Sequence, residues 1–79
     1  AMAGYQLEIV NQGFLQLCEK LITEDEFISL VKKSGLTRKV FEELTCHPMG
    51  DMFLSPALTA YIRAKNIFDV IECDSLACK

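Results

Sequence analysis

The sequence predicts an all-α fold, a compact bundle of four to five short helices in a single domain that spans residues 4–79. Three observations support this prediction. Apolar residues recur at three- and four-residue steps, helix-capping residues stand between those segments, and no stretch alternates as cleanly as a half-buried strand does. A chain of 79 residues also has no length for two hydrophobic cores. Residues 1–3 are interpreted as a cloning remnant and are left out of the fold prediction.

A first helix is predicted from Gly4 to Ile22. Its apolar stripe, which Cys18 and Ile22 widen, consists of Leu7, Val10, Phe14, Leu17 and Leu21. Gly13 interrupts this helix at a cost of about 1 kcal/mol relative to alanine. Its presence indicates a close neighbour or a locally weak helix, and a glycine that is merely tolerated is an equal alternative.

Helix-capping signals predict the next two helices. Thr23 and Glu26 have the spacing of a capping box, so the acidic run there is explained as a helix start and not as a catalytic or metal-binding cluster. Gly35 is expected to end that helix in a left-handed conformation. Thr37 then caps a short third helix, predicted from Arg38 to Thr45.

The second half of the chain is predicted to hold a loop and then a long helix. Residues 46–51 are expected to form the loop, because they contain both Pro48 and Gly50. Ser55 and Pro56 have the preferred order for a helix start. Asn66 leaves open whether this last helix continues to Cys73 or breaks in two; a helix is favoured for the segment after it, with a strand as the alternative.

Apolar composition predicts how the protein works. Apolar residues make up 51% of the chain, whereas a domain of this size buries only about 60% of the surface that its unfolded chain exposes. We therefore expect a small non-enzymatic regulatory or adaptor protein that docks an apolar helical face on another protein or on a second copy of itself, as a homodimer. The predicted partner-binding residues are Ala57, Ala60, Tyr61, Ala64, Ile67, Phe68 and Ile71.

An alternative function comes from residues 27–46, which resemble a helix-turn-helix motif. Gly35 falls at the turn, and Thr37 occupies the usual cap of the second helix. The resemblance implies a DNA-binding transcriptional regulator of phage or plasmid type, and the residues that would then face DNA are Thr37, Arg38, Lys39, Glu42 and Glu43. Two of these are basic and two acidic, and the chain carries a net charge of −3, so an ordinary helix corner is favoured over a phosphate-seeking face.

Other chemistry is not expected. Cys46, His47, Cys73 and Cys78 are the only conceivable zinc ligands, but their spacing does not match a zinc site, and the four cysteines are interpreted as thiols. The sequence contains no glycine-rich phosphate loop or cysteine–histidine arrangement with nucleophilic geometry, so neither catalysis nor a cofactor is expected. It has no signal-peptide pattern or membrane-spanning run, and a cytoplasmic location is predicted.

Overall fold

A computed structural model describes residues 4–75 of the chain, and these residues form six α-helices and no strand. The all-α prediction is confirmed. The helices are α1 (Gly4–Cys18), α2 (Glu24–Ser34), α3 (Arg38–Cys46), α4 (Gly50–Phe53), α5 (Pro56–Lys65) and α6 (Ile67–Ser75). The predictions for residues 1–3 and for Cys78 lie outside the described residues.

The first helix ends four residues before its predicted end. Lys20 adopts a left-handed conformation, with φ 63°. The amide of Lys20 donates to the Leu17 carbonyl at 3.0 Å, and the amide of Leu21 donates to the Gln16 carbonyl at 2.8 Å. This is the hydrogen-bond pattern of a Schellman motif, which glycine usually closes. Because lysine stands there instead, no residue type marks the end of this helix. The prediction that Leu21 joins the buried stripe is wrong, since Leu21 is 68% exposed.

The caps of α2 and α3 lie where they were predicted. The Thr23 hydroxyl accepts from the Glu26 amide at 3.1 Å, and the Glu26 carboxylate accepts from the Thr23 amide at 2.7 Å. Gly35 ends α2 with φ 86°, a conformation that strains any residue carrying a Cβ. The Thr37 hydroxyl then accepts from the Val40 amide and starts α3. These local hydrogen bonds fix the corner between the two helices.

Two features of the second half differ from the prediction or resolve it. The segment predicted as a loop ends early, because the single turn α4 begins at Gly50. Asn66 ends α5 in the left-handed conformation, with φ 52° and ψ 48°, and its carbonyl accepts from the Asp69 and Val70 amides at the start of α6. The last helix is therefore broken, and the segment after Asn66 is helical. The additional turn α4 and the break at Asn66 raise the helix count of the described residues to six.

The core is built from one to three apolar side chains of every helix except α4, together with two leucines from the connections between helices. The buried apolar residues are Leu7, Val10, Phe14, Phe27, Val31, Leu36, Phe41, Leu54, Leu58, Ile62, Ile67 and Phe68. Aromatic rings form two groups within this core and do not make a single stack. Phe14, Phe27 and Tyr61 meet with ring centroids 5.5–6.1 Å apart, while Phe41 and Phe68 pair at 5.2 Å. The first group joins α1, α2 and α5, and the second joins α3 to α6.

A single polar side chain attaches the α4–α5 junction to α1. The amide group of Asn11 donates to the Phe53 carbonyl at 2.8 Å, and its oxygen accepts from the Ser55 amide at 3.1 Å. All three bonded groups are partly buried. Asn11 thereby satisfies backbone groups that lie between two helices and have no helical partner.

Tyr61 makes the folded state sensitive to alkaline pH. Burial raises the pKa of its phenol, and the negative charges of Glu24 and of an ionised Cys18 raise that pKa further. In the unfolded chain this phenol loses its proton near pH ~10, whereas the folded chain retains it to higher pH. The unfolded state thus binds fewer protons above that pH, and the free energy of unfolding falls as the pH rises.

We expect the free energy of unfolding to fall less steeply in Tyr61→Phe than in the wild type as the pH rises above ~10, the pKa of an unperturbed phenol. Urea unfolding at several pH values measures this difference. Equal slopes for the two proteins would contradict the assignment. In the Tyr5→Phe variant, Tyr61 is the one remaining tyrosine, so its titration is visible directly by phenolate absorbance.

Candidate partner-binding surfaces

The alanines predicted to contact a partner lie on the outer surface of α5. Ala57, Ala60 and Ala64 are exposed and form a strip along the helix, opposite the buried Leu58 and Ile62. A strip of small side chains lets another helix approach closely. Tyr61 of the same predicted set is half-buried, because its ring packs on Phe14 and Phe27.

The α6 members of the predicted set lie mostly inside the fold. Ile67 is fully buried, Phe68 is 5% exposed, and Ile71 is half-buried against the core. The cause is the left-handed Asn66, which breaks the helix before Ile67, together with the pairing of Phe68 with Phe41. Ile67 and Phe68 stabilise the domain and do not reach its surface in this fold. Val70, which was not in the predicted set, is exposed instead.

A concave, largely apolar groove lies between α1 and α2. Ile9 and Leu30 lie at its centre and border both of its halves, which have volumes of about 570 and 390 Å³. Tyr5 extends the apolar surface by one turn of α1. The remaining lining residues are Glu8, Gln12, Gly13, Gln16, Asp25, Glu26, Ser29, Lys33 and Ser34.

Gly13 lies in the lining of this groove, directly beside Leu30. A Cβ atom at this position would lie 2.9 Å from Leu30 Cδ1, closer than van der Waals contact allows. Because glycine has no Cβ, the Leu30 side chain packs directly on the α1 backbone, between the two helices. The structure therefore identifies Gly13 as the residue with a close neighbour, one of the alternatives that its position in the sequence left open.

The charges around the groove are mainly negative. Glu8, Asp25 and Glu26 contribute three carboxylates to its lining, and Lys33 contributes one ammonium group. Within the part of the chain that the structure describes, none of these four side chains forms an ion pair. The carboxylates are exposed and face a surface whose centre is apolar.

Sequence reasoning missed this groove, although a signal was present. Tyr5 and Ile9 are four residues apart and lie outside the apolar stripe that packs α1 on the core. Two large apolar residues on the solvent face of a predicted helix indicate a second apolar surface. The structure leaves Tyr5 67% and Ile9 44% exposed.

The residues predicted to face DNA surround the corner between α2 and α3, but their charges are partly neutralised. The Arg38 guanidinium donates to both carboxylate oxygens of Glu72, at 3.0 and 3.1 Å, and also to Asp69. These hydrogen bonds to Glu72 and then to Asp69 raise the pKa of Arg38. Glu42 accepts from Arg63 at 3.4 Å. Two carboxylates of α6 thus lie beside the first cation of the corner.

Thr37, Lys39 and Glu43 complete that predicted set. All three are exposed, and the Thr37 hydroxyl is engaged as the cap of α3. Lys39 is the basic residue of the set that has no carboxylate partner within the described range.

The prediction that all four cysteines are thiols is wrong, because one of them is disulfide-bonded. Cys18 and Cys46 are free and exposed, and Cys18 is consequently not the core residue that its place in the α1 stripe predicted. Cys73 is disulfide-bonded, so its sulfur is no longer available as a thiolate ligand for zinc. Among the described residues, no group of three or more histidine, cysteine or acidic side chains has a geometry that could hold a metal ion.

None of the helices within residues 4–75 has both the length and the apolar character that crossing a membrane requires. Comparison of the chain with protein-family models, with curated proteins and with solved structures gives no match.

Proposed function

We propose that this chain is a small, non-enzymatic regulatory or adaptor module of the cytoplasm that works by burying an apolar helical surface against another protein or a second copy of itself. The observation that carries the proposal is the groove between α1 and α2, where Tyr5 and Ile9 are exposed beside Leu30. Each square ångström of apolar surface removed from water stabilises a complex by about 25 cal/mol before the costs of association. Side chains of this size on one face are typical of a contact surface.

The alanine strip of α5 provides a second candidate surface. Its side chains are too small to anchor a partner by themselves, but they permit close backbone approach over two turns of helix. Tyr61 borders the strip and leaves part of its ring accessible. The proposal therefore includes both surfaces, and variants on each of them separate their contributions.

The helix-turn-helix interpretation receives no comparable support. A DNA-reading helix needs cations that are free to contact phosphates or guanine edges. Arg38, the first of them, is held by Glu72 and Asp69, and these carboxylates would themselves face the phosphates. We therefore do not propose DNA binding as the function.

The experiment combines oligomeric state with recovery of a stoichiometric partner. Light scattering behind size exclusion measures the mass of the purified chain up to high micromolar concentration. A tagged copy is then isolated from its native cell in parallel with the variants Ile9→Asp and Ala60→Asp. Leu15→Asp is the matched control, because Leu15 lies on α1, is 52% exposed and does not line the groove.

We expect self-association or a stoichiometric partner that is lost in at least one surface variant and retained in the control. A monomer that recovers no stoichiometric partner would overturn the proposal. Equal recovery by the wild type and by every variant would also overturn it, since the contact would then involve neither apolar surface.

A further inference from the structure

We infer that the groove between α1 and α2 is a docking site for a basic amphipathic helix of another protein. This inference depends on the proposed function and deepens it, because it states which surface binds and what chemistry the partner presents. Three observations support it: the shape of the groove, its charge, and the lack of a matching surface among the residues that the structure describes.

The shape of the groove fits a helix. Tyr5 and Ile9 are one helical turn apart on α1, and Leu30 faces them from α2, so the apolar row follows the helix direction. A partner helix with apolar residues at positions i, i+3 or i+4, and i+7 presents a stripe of the same spacing. Residues 4–75 contain no strand, so they offer an extended peptide no sheet edge to join.

The charge of the lining selects a basic partner. Three carboxylates and one ammonium group leave an excess of negative charge around an apolar centre. A helix whose apolar stripe is flanked by lysine or arginine places its cations beside Glu8, Asp25 and Glu26. Such charge complementarity speeds association and favours basic partners over acidic ones, and its effect weakens as salt rises.

The chain itself has no exposed helical surface that meets both requirements within its described residues. Val70 is exposed on α6, but Asp69 and Glu72 are its exposed neighbours. Two copies also repel each other through a net charge of −3.

Other exposed large apolar residues do not form a helical row: Leu21 lies beyond the end of α1, which carries Leu15, and Met49 and Met52 belong to the single turn α4 and its cap. Helix α5 presents two cations but no large apolar anchors. Its exposed apolar residues are alanines, and its Arg63 already donates to Thr45 at 3.0 Å and to Glu42. The occupant that fits the groove is therefore a different protein.

A designed pair of peptides tests this inference. The probe is a helical peptide of about four turns, with leucines along one stripe and lysines elsewhere, and its twin carries glutamates in place of the lysines. Each is titrated into the isotope-labelled full-length chain while amide NMR shifts are followed, and affinities are measured by fluorescence anisotropy at low and moderate salt. Circular dichroism checks that every variant keeps its helical content.

We expect saturable binding of the basic peptide, with shifts confined to α1 and α2, and at least about tenfold weaker binding of the acidic twin. Ile9→Asp should abolish binding of the basic peptide, whereas the control Leu15→Asp should retain it. The double variant Glu8→Lys, Asp25→Lys should reverse the preference, so that the acidic twin binds more tightly. This reversal tests the charge argument without removing any apolar residue.

Several outcomes would overturn the inference. These are no saturable binding, equal affinity for the two peptides, or shifts centred on α5. A dimer that Ile9→Asp converts to a monomer would show that a second copy occupies the groove. Shifts on α5 or such a dimer would leave the proposed function in place, whereas a monomer without any stoichiometric partner would remove both.

Discussion

Replacement of Phe27 by alanine is expected to lower the free energy of unfolding by about 3–5 kcal/mol. The Phe27 side chain is fully buried at the junction of α1, α2 and α5, and its ring meets Phe14 and Tyr61 edge-on at 6.1 and 5.9 Å. Alanine removes the apolar surface of the ring and leaves a cavity that two other rings line. Such a loss is a large part of the roughly 5–15 kcal/mol that stabilises a typical domain.

Urea unfolding followed by circular dichroism measures this effect. Phe27→Leu provides a variant that fills more of the space and should lie between the wild type and Phe27→Ala. Leu21→Ala is the matched control: Leu21 is 68% exposed, so its truncation should change stability by no more than about 0.5 kcal/mol. A cost for Leu21→Ala equal to that of Phe27→Ala would mean that the core is not centred on this ring cluster.

Replacement of Asn11 by leucine is expected to cost about 2–4 kcal/mol, although the two side chains are similar in size. The substitution leaves the Phe53 carbonyl and the Ser55 amide, both partly buried, without the partners that Asn11 provides. Each unsatisfied group costs about 1–3 kcal/mol. We also expect the junction between α4 and α5 to exchange its amide protons faster, because Asn11 is what attaches it to α1.

Chemical denaturation and hydrogen exchange measure these two effects. Gln12→Leu is the control, since Gln12 is exposed on the same helix and donates to neither group. Asn11→Asp retains an acceptor for the Ser55 amide but loses the donor to the Phe53 carbonyl, so it separates the two bonds. If Asn11→Leu costs no more than Gln12→Leu, Asn11 does not attach the junction to α1.

The fold was predictable from the sequence wherever a local hydrogen bond determines the structure. Thr23, Glu26, Gly35, Thr37 and Ser55 cap their helices as predicted, because each acts on a backbone group only a few residues away. The end of α1 and the break at Asn66 use left-handed lysine and asparagine, which tolerate this conformation but do not require it. Residue type alone does not reveal such positions.

The candidate site was less predictable, because it depends on how helices pair. The sequence predicts that Ile67 and Phe68 bind a partner, but both are buried. Their burial follows from a turn at Asn66 and from Phe41, which is more than twenty residues away. Likewise, the sequence around Arg38 predicts an unpaired cation, whereas in the fold α6 places Glu72 and Asp69 beside it. The groove arises from the pairing of α1 with α2, which no periodicity within one helix encodes.

At Gly13, the residue that would best stabilise α1 differs from the residue that keeps the proposed docking groove open. Alanine there would favour α1 by about 1 kcal/mol of helix propensity, and the only atoms that must move belong to the flexible end of Leu30. The fold would accept this exchange, yet the displaced leucine would move into the groove that we propose as the docking site. A sequence optimised for folding alone would not keep a glycine at this position. Gly13 weakens α1 as a helix, but the same residue lets Leu30 pack against α1 and keeps the outer surface of the helix pair open.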